Sequence, residues 1–297
     1  MKVAFIGLGA MGRGMSARLV EAGHEVAGYD IAPAACAALT KTGGRVAADP
    51  AEACRGADAL VVMVFDAEQT EAVLFGAKGA NESLPQGAVV IMSVTMTPAQ
   101  ARAFAERLAA RGWPMLDAPM SGGAAAAEQG QLSFMVAGSD EAFAKAEPLL
   151  APMAKRVYRI GAQCGLGSTM KMVHQIAAGA NLAVAAELTA FGARMGLDPG
   201  VILEVVNNAA GRSAMFEIVG PRMIERDFAP RGPLEIFVKD LGIALEAGKA
   251  ARFPLPMAAA AHQLYLAAAA HGHIAEDTGA VIKVYEALSG ITVKRGG

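Results

Sequence analysis

The chain changes rhythm about half-way along its length, and this limits its fold more than any other feature. Up to about residue 164, short apolar runs alternate with stretches of helical spacing. Val3–Ile6, His24–Tyr29, Ala59–Val64 and Ala88–Met92 read as strands, and Gly14–Ala22, Ala67–Phe75 and Pro98–Ala110 as helices between them. Further strands are expected at Met115–Ala118, Leu132–Val136 and Val157–Ile160. Such alternation predicts a mostly parallel sheet with helices on both faces. Beyond Ser168 the alternation stops. A long proline-free run reaches about Met195, and helical segments follow at Pro199–Asn208, Leu234–Ala250, Met257–Ala270 and Asp277–Leu288. Helices apolar on most faces have to be buried. The spacing predicts an α/β domain over residues 1–164 and an all-α domain over 165–297, with a boundary near Cys164–Gly167.

Composition removes several functional classes. Lys plus Arg number 26 and Asp plus Glu 28, a net charge of −2. That balance lacks the basic footprint of a nucleic-acid partner. Cys36, Cys54 and Cys164 form no CxxC pair, so neither a disulfide framework nor a cysteine metal site is expected. The longest stretch without a formal charge, Phe253–Ala275, contains Pro254, Pro256, Gln263 and three histidines. It reads as a loop and an alanine-rich interior helix, not a membrane span. Met1 runs straight into a strand, which leaves no room for a signal peptide and implies a cytoplasmic protein.

Gly7-Leu8-Gly9-Ala10-Met11-Gly12 lies between the first strand and the first helix. In a dinucleotide fingerprint the first glycine allows a tight turn. The second lets the backbone approach a pyrophosphate, and the third lets helix and strand pack closely. The N–H groups of the helix start then face the phosphate. An ordinary strand–helix turn would use the same glycines. The context favours the nucleotide: Asp30 closes the second strand eighteen residues after Gly12. An acid there binds an adenosine ribose and repels a 2′-phosphate. Ile31 and Ala32 supply no countercharge, so NAD is expected over NADP. The alternative for Asp30 is a solvated turn residue.

Lys171, His174 and Gln175 stand at i, i+3 and i+4 at the start of the long helix and share one face. Ser168 is a possible cap for that helix. An ordinary lysine is a poor base at neutral pH, but partial burial lowers its proton affinity toward the working range. A snorkelling surface lysine is the other reading. Ser121, Gly122 and Gly123 follow a strand, and a hydroxyl beside two glycines can offer N–H groups to a carboxylate, unless it is only a glycine-rich turn. Lys239-Asp240 is a second charged point in an apolar helix, read alone as a structural ion pair.

Five motifs in order now carry a resemblance over essentially the whole chain: GLGAMG (Gly7–Gly12), DAPMSGG (Asp117–Gly123), GQLSFMVAG (Gly130–Gly138), GLGSTMK (Gly165–Lys171) and KDLG (Lys239–Gly242). Together they resemble the β-hydroxyacid dehydrogenase family, which includes 3-hydroxyisobutyrate dehydrogenase and tartronate semialdehyde reductase. The resemblance implies a Rossmann-type domain, a long inter-domain helix and an all-helical domain that forms homodimers or homotetramers. It implies that Lys171 is the catalytic acid–base, that Ser121, Gly122 and Gly123 hold a substrate carboxylate, and that Lys239 lies near the cofactor. The Val94-Thr95 segment resembles the loop on the nicotinamide side, and Val64, closing its strand, is counted with Thr95 among cofactor-contacting residues.

Two departures bear on the substrate. The family usually carries two asparagines where this chain has His174 and Gln175, and often tryptophan where it has Ala214. With EIFVKDLG (Glu235–Gly242) and FPLPMAAAAHQLY (Phe253–Tyr265), this pattern resembles the L-threonate dehydrogenase branch, which oxidises a sugar acid at its 2-hydroxyl. The expected activity is NAD-dependent oxidation of a small hydroxy acid, with 3-hydroxyisobutyrate and tartronate semialdehyde as alternatives. His174 remains a rival base. A non-catalytic NAD-binding redox sensor is the alternative from another class, and such a sensor would have no use for Lys171.

Overall fold

The structure, a computed structural model, describes residues 1–296. It divides into two compact units, Met1–Lys171 and Met172–Gly297. The first unit runs β1 (Lys2–Ile6), α1 (Ala10–Glu21), β2 (Glu25–Tyr29), α2 (Pro33–Lys41), β3 (Arg45–Val46), α3 (Pro50–Cys54), β4 (Ala59–Val62), α4 (Ala67–Phe75), β5 (Val89–Met92) and α5 (Pro98–Ala109). It continues with β6 (Met115–Asp117), β7 (Met120–Ser121), α6 (Gly123–Glu128), β8 (Leu132–Ala137), α7 (Asp140–Leu150) and β9 (Ala154–Gly161).

The first six strands are parallel and lie side by side in the order β3-β2-β1-β4-β5-β6. This is the doubly wound order of dinucleotide-binding domains, and it reverses direction between β1 and β4. The sheet then extends by β8, antiparallel to β6 and β7, and by β9, parallel to β8. Successive strand residues point to opposite faces. Phe5, Val61 and Ile91 therefore enter one core, while Ile6, Leu60 and Val90 enter the other. A sheet apolar on both faces needs helices on both, which explains why the strands read as near-continuous apolar runs.

The second unit takes up helix α8 (Leu166–Arg194) from Met172 onward, then α9 (Pro199–Asn207), α10 (Ala214–Glu225), α11 (Glu235–Ala250), α12 (Pro256–Ala270) and α13 (Ile282–Ser289). A 3₁₀ turn at Thr278–Val281, capped by Asp277, precedes α13 and replaces the start of the expected Asp277–Leu288 helix. Leu182, Ala186, Phe237, Leu241, Ala261, Tyr265 and Ile282 share one core. Tyr265 is fully buried, and its hydroxyl donates to the Gly179 carbonyl at 2.9 Å, so its polar end is satisfied. By length and composition α8 could cross a membrane, yet Ala178, Leu182, Ala186 and Ala190 lie within this helical core. The uncharged stretch Phe253–Ala275 forms a loop and α12, with Ala258, Ala261 and Ala268 buried.

Candidate active site

The turn between β1 and α1 has two kinds of glycine. Gly7 has φ +96°, and a Cβ there would sit 2.2 Å from the Met63 carbonyl oxygen. A Cβ on Gly12 would sit 1.9 Å from the Gly7 carbonyl oxygen. Both glycines are therefore demanded by the close approach of helix, turn and neighbouring strand. Gly9 differs: a Cβ there meets nothing within 4 Å. The fold alone does not require it, and the open space beside it is the cradle a pyrophosphate needs. Helix α1 has no side-chain cap and no acid in its first turn, so its leading N–H groups suit an anion.

Asp30, just past β2, fixes this turn. Its Oδ2 accepts the Leu8 N–H at 2.6 Å and its Oδ1 accepts the Ala32 N–H at 2.8 Å. The Leu8 side chain is buried in the sheet core, so Leu8 serves the turn through its backbone. Ala10 is exposed and Met11 half-buried on the helix start. Val64 and Thr95, both half-buried, follow β4 and β5 at the carboxyl ends of the parallel strands, where open α/β sheets bind ligands. Open space at Gly9, an uncapped helix and a carboxylate at the end of β2 fit a nicotinamide dinucleotide.

The second cluster is built around Asp117, the last residue of β6. It is fully buried and accepts three hydrogen bonds from the start of α8: Gly165 N–H at 2.8 Å, Ser168 N–H at 2.9 Å and Ser168 Oγ at 2.8 Å. Burial pushes its carboxyl above the ordinary carboxylate range, and the bonds from Ser168 and Gly165 work against that rise. The expectation that Ser168 caps the helix is corrected here. Ser168 lies inside the first turn and donates, while the capping acceptor comes from a strand. Gly167 permits this approach, since a Cβ there would lie 2.6 Å from the Asp117 carbonyl oxygen.

One turn later comes Lys171, only 8% exposed, its Nζ donating to the Met120 carbonyl at 2.8 Å. Residues 117–120 thus grip the helix at two points, through a side chain and through a carbonyl. Ser121 follows directly in β7, paired with Ser133 of β8. Gly122 (φ +141°) and Gly123 (φ +73°) then turn the chain into α6. Lys171 and the Ser121-Gly122-Gly123 segment are far apart in sequence, and one carbonyl brings them together.

In the second unit a polar chain runs between α8 and α11. His174 Nδ1 is 3.0 Å from Gln175 Oε1, and Gln175 Nε2 donates to Asp240 Oδ2 at 2.6 Å. Lys239 Nζ lies 3.0 Å from Asp240 Oδ1, the ion pair expected from their sequence. Gln175 and Asp240 are buried, and His174 and Lys239 are half-buried. Asp117 and Asp240 were not among the expected site residues. Ala214 is the exposed first residue of α10, behind a Ser213 cap. Cysteine chemistry finds no support: burial pushes the Cys54 thiol up to about 12 and the Cys164 thiol up to about 11. No cluster of metal-ligating side chains occurs among the described residues.

Comparison with known proteins bears on this geometry. Residues 2–161 match the NAD-binding domain of 6-phosphogluconate dehydrogenase, and residues 165–285 match the NAD-binding domain of NADP-dependent 3-hydroxyisobutyrate dehydrogenase. The chain is 44% identical to an L-threonate dehydrogenase of Cupriavidus necator over 96% of both chains. It belongs to the β-hydroxyacid dehydrogenase family. An L-threonate dehydrogenase of Escherichia coli is 42% identical over 98% of this chain and 96% of its own. A crystal structure of 3-hydroxyisobutyrate dehydrogenase from Salmonella typhimurium superposes with a TM-score of 0.89 at 42% identity, covering 95% of this chain and 99% of that one. This hydroxyacid dehydrogenase therefore uses a nicotinamide dinucleotide and has a Rossmann-type domain followed by an all-helical one.

Proposed function

We propose that this dehydrogenase oxidises L-threonate, a four-carbon sugar acid, at its 2-hydroxyl. A bound NAD would supply the acceptor for the hydride that leaves the carbinol carbon. The neutral amine of Lys171 takes the hydroxyl proton, and in the reverse direction the ammonium returns it. Ser121 Oγ and the N–H groups of Gly122 and Gly123 hold the substrate carboxylate. His174 and Gln175, on the same helix face as Lys171, recognise the remaining hydroxyls. Gly7, Leu8, Gly9, Ala10, Met11 and Gly12 carry the pyrophosphate, Asp30 the ribose, and Val64, Thr95 and Lys239 line the cofactor. Asp30 with no adjacent cation supports NAD over NADP.

The observation that carries this reading is the 2.8 Å bond from Lys171 Nζ to the Met120 carbonyl. It puts an amine beside the segment suited to a carboxylate, as oxidation next to an acid requires. Five relatives at 40–44% identity are L-threonate dehydrogenases, which supports the substrate. The name of the similar Salmonella typhimurium structure keeps 3-hydroxyisobutyrate as a second reading. A screen of NAD reduction decides between them, using both threonate enantiomers, the erythronates and 3-hydroxyisobutyrate. Highest kcat/KM on L-threonate supports the proposal; no turnover of any threonate removes it.

We also read the protein as a cytoplasmic homodimer or homotetramer. Exposed Val184 and Phe191 on α8, Met195 in the turn after it, and Val201 and Val205 on α9 support association through the helical domain. The domain boundary is taken at residues 164/165, ahead of the helix that carries the lysine.

A further inference from the structure

At the carboxyl end of the sheet, three successive carbonyls are held from three different elements. The Ala118 oxygen accepts from Ser93 Oγ at 3.2 Å, the Pro119 oxygen from the Met135 N–H of β8 at 2.9 Å, and the Met120 oxygen from Lys171 Nζ at 2.8 Å. The last two fasten the segment to β8 and to α8. The first fastens it to the end of β5, and a side chain makes it where a regular sheet would use backbone. Met92 of β5 pairs with Asp117 of β6, and the Ala118 N–H donates to the Met92 carbonyl at 2.8 Å. The next bond of an even parallel ladder would run from the Val94 N–H to the Ala118 oxygen. The Ser93 hydroxyl takes that oxygen instead, one residue beyond the last residues of both strands, where β5 and β6 part. Ser93 is only 2% exposed, and its own N–H donates to the Val62 carbonyl at the end of β4 at 2.9 Å. One buried serine thus joins the ends of three strands, from which the chain leads on to Val64, to Thr95 and to Ser121.

We propose that Ser93 is a positioning residue for hydride transfer, its hydroxyl setting the spacing between the Val94-Thr95 segment on the nicotinamide side and the Met120–Gly123 segment that receives the Lys171 amine and the substrate carboxylate. The hydroxyl acts through the Ala118 carbonyl and not by contact with either ligand. The backbone bonds at the fork, Ser93 N–H to Val62 and Ala118 N–H to Met92, need no side chain at position 93. Alanine there would keep both and leave the Ala118 oxygen without its donor, so the strands would still pair while the two segments beyond them gained freedom. Transfer between bound partners depends steeply on their placement, and a shift of about 1 Å can cost about a hundredfold. The inference rests on the reading of Lys171 and residues 121–123 given above.

Ser93→Ala tests it without adding bulk to a buried place. The probe is L-threonate or, if another acid gives the highest kcat/KM in the screen above, that acid. Single-turnover formation of NADH should slow about tenfold, the scale of one hydrogen bond. NADH affinity by fluorescence and KM for the acid should stay within about twofold of the parent, because the lost interaction matters for the transfer and not for binding. A purely structural role would instead lower the melting temperature or weaken NADH binding without that split. Ser93→Thr restores a hydroxyl and should recover most of the rate. Should its extra methyl group prevent folding, Ser93→Cys, a weaker donor, should fall between parent and Ser93→Ala. A parent-like single turnover in Ser93→Ala overturns the proposal, and so does a slowing matched by an equal loss of NADH affinity. The two failures are distinguishable through the lysine. Near-normal turnover in Lys171→Ala removes the reading on which this inference rests, whereas an inactive Lys171→Ala beside a parent-like Ser93→Ala removes this inference alone.

Discussion

Helices α1 and α8 both begin on glycine-rich turns, yet they handle their first N–H groups in opposite ways. At α1 no side chain caps the helix, the first turn carries no acid, and the space beside Gly9 is open. At α8 the buried Asp117 carboxylate receives Gly165 N–H, Ser168 N–H and Ser168 Oγ. A helix start is a ready anion site. The first is left for a ligand, and the second is filled by the protein's own anion. In the proposed reaction the first start holds the dinucleotide, and the second immobilises the helix that carries Lys171, the proposed acid–base.

The sharpest test of this contrast is Lys171→Ala. Positioned acid–base catalysis contributes on the order of a hundred- to ten-thousand-fold. Turnover should therefore fall at least about a hundredfold, with NADH affinity by fluorescence unchanged. Lys171→Arg should not restore it, because guanidinium stays protonated. Near-normal kcat in the alanine variant would move the base to His174 and leave the rigid helix start without a purpose.

The open helix start is tested by paired glycine substitutions. Gly9→Ala meets no neighbour, so its melting temperature should stay near that of the parent while NADH affinity drops about tenfold or more through lost close approach. Gly12→Ala should unfold the domain, because its methyl group would overlap the Gly7 carbonyl. Equal NADH binding by Gly9→Ala and parent would break the comparison. Asp30→Ala should act at two levels. It removes the acceptor for Leu8 N–H and loosens the turn, and it narrows the preference for NAD over NADP, read as a ratio of kcat/KM values. Equal use of NAD and NADP by the parent would end that argument.

The smallest expected effect concerns pH. The Asp117 carboxyl titrates higher in the folded chain than in the unfolded one. Its titration then contributes stability that is fully present below the unfolded value, about 4, and is lost as pH rises through the folded value. Asp117→Asn has no such titration. The stability advantage of the parent over Asp117→Asn should grow on acidification from about pH 7 to about pH 4, read from urea midpoints. An advantage that shrinks over that interval would mean the three donors outweigh burial.

Much of this is legible in the sequence wherever a local pattern suffices. The apolar runs of β1, β2, β4, β5 and β6 and the glycine spacing locate the nucleotide turn, because short apolar strands and tight turns are local patterns. The two-residue strands β3 and β7 escape such a reading, since two residues show no period. Helices α2, α3 and α6 escape it too, as do α7 and α10, which carry Pro148 and Pro221 inside them. Asp117 stands within a motif, but nothing near it in the chain signals that it anchors a helix, because its partners Gly165 and Ser168 lie far along the sequence. The bond from Gln175 to Asp240 is hidden for the same reason, because it closes only when α8 and α11 pack.

The seven residues from Asp117 to Gly123 work as a ruler. Asp117 and the Met120 carbonyl set where the lysine stands, and the next three residues are the ones proposed to hold the carboxylate. In the proposed reaction this fixes the span from acid group to reacting carbon, whatever lies beyond that carbon. In the same proposal, substrate choice falls to the following turn of the helix, at His174 and Gln175. A lineage built this way can exchange one acid for another by changing that turn and leave its chemical step intact.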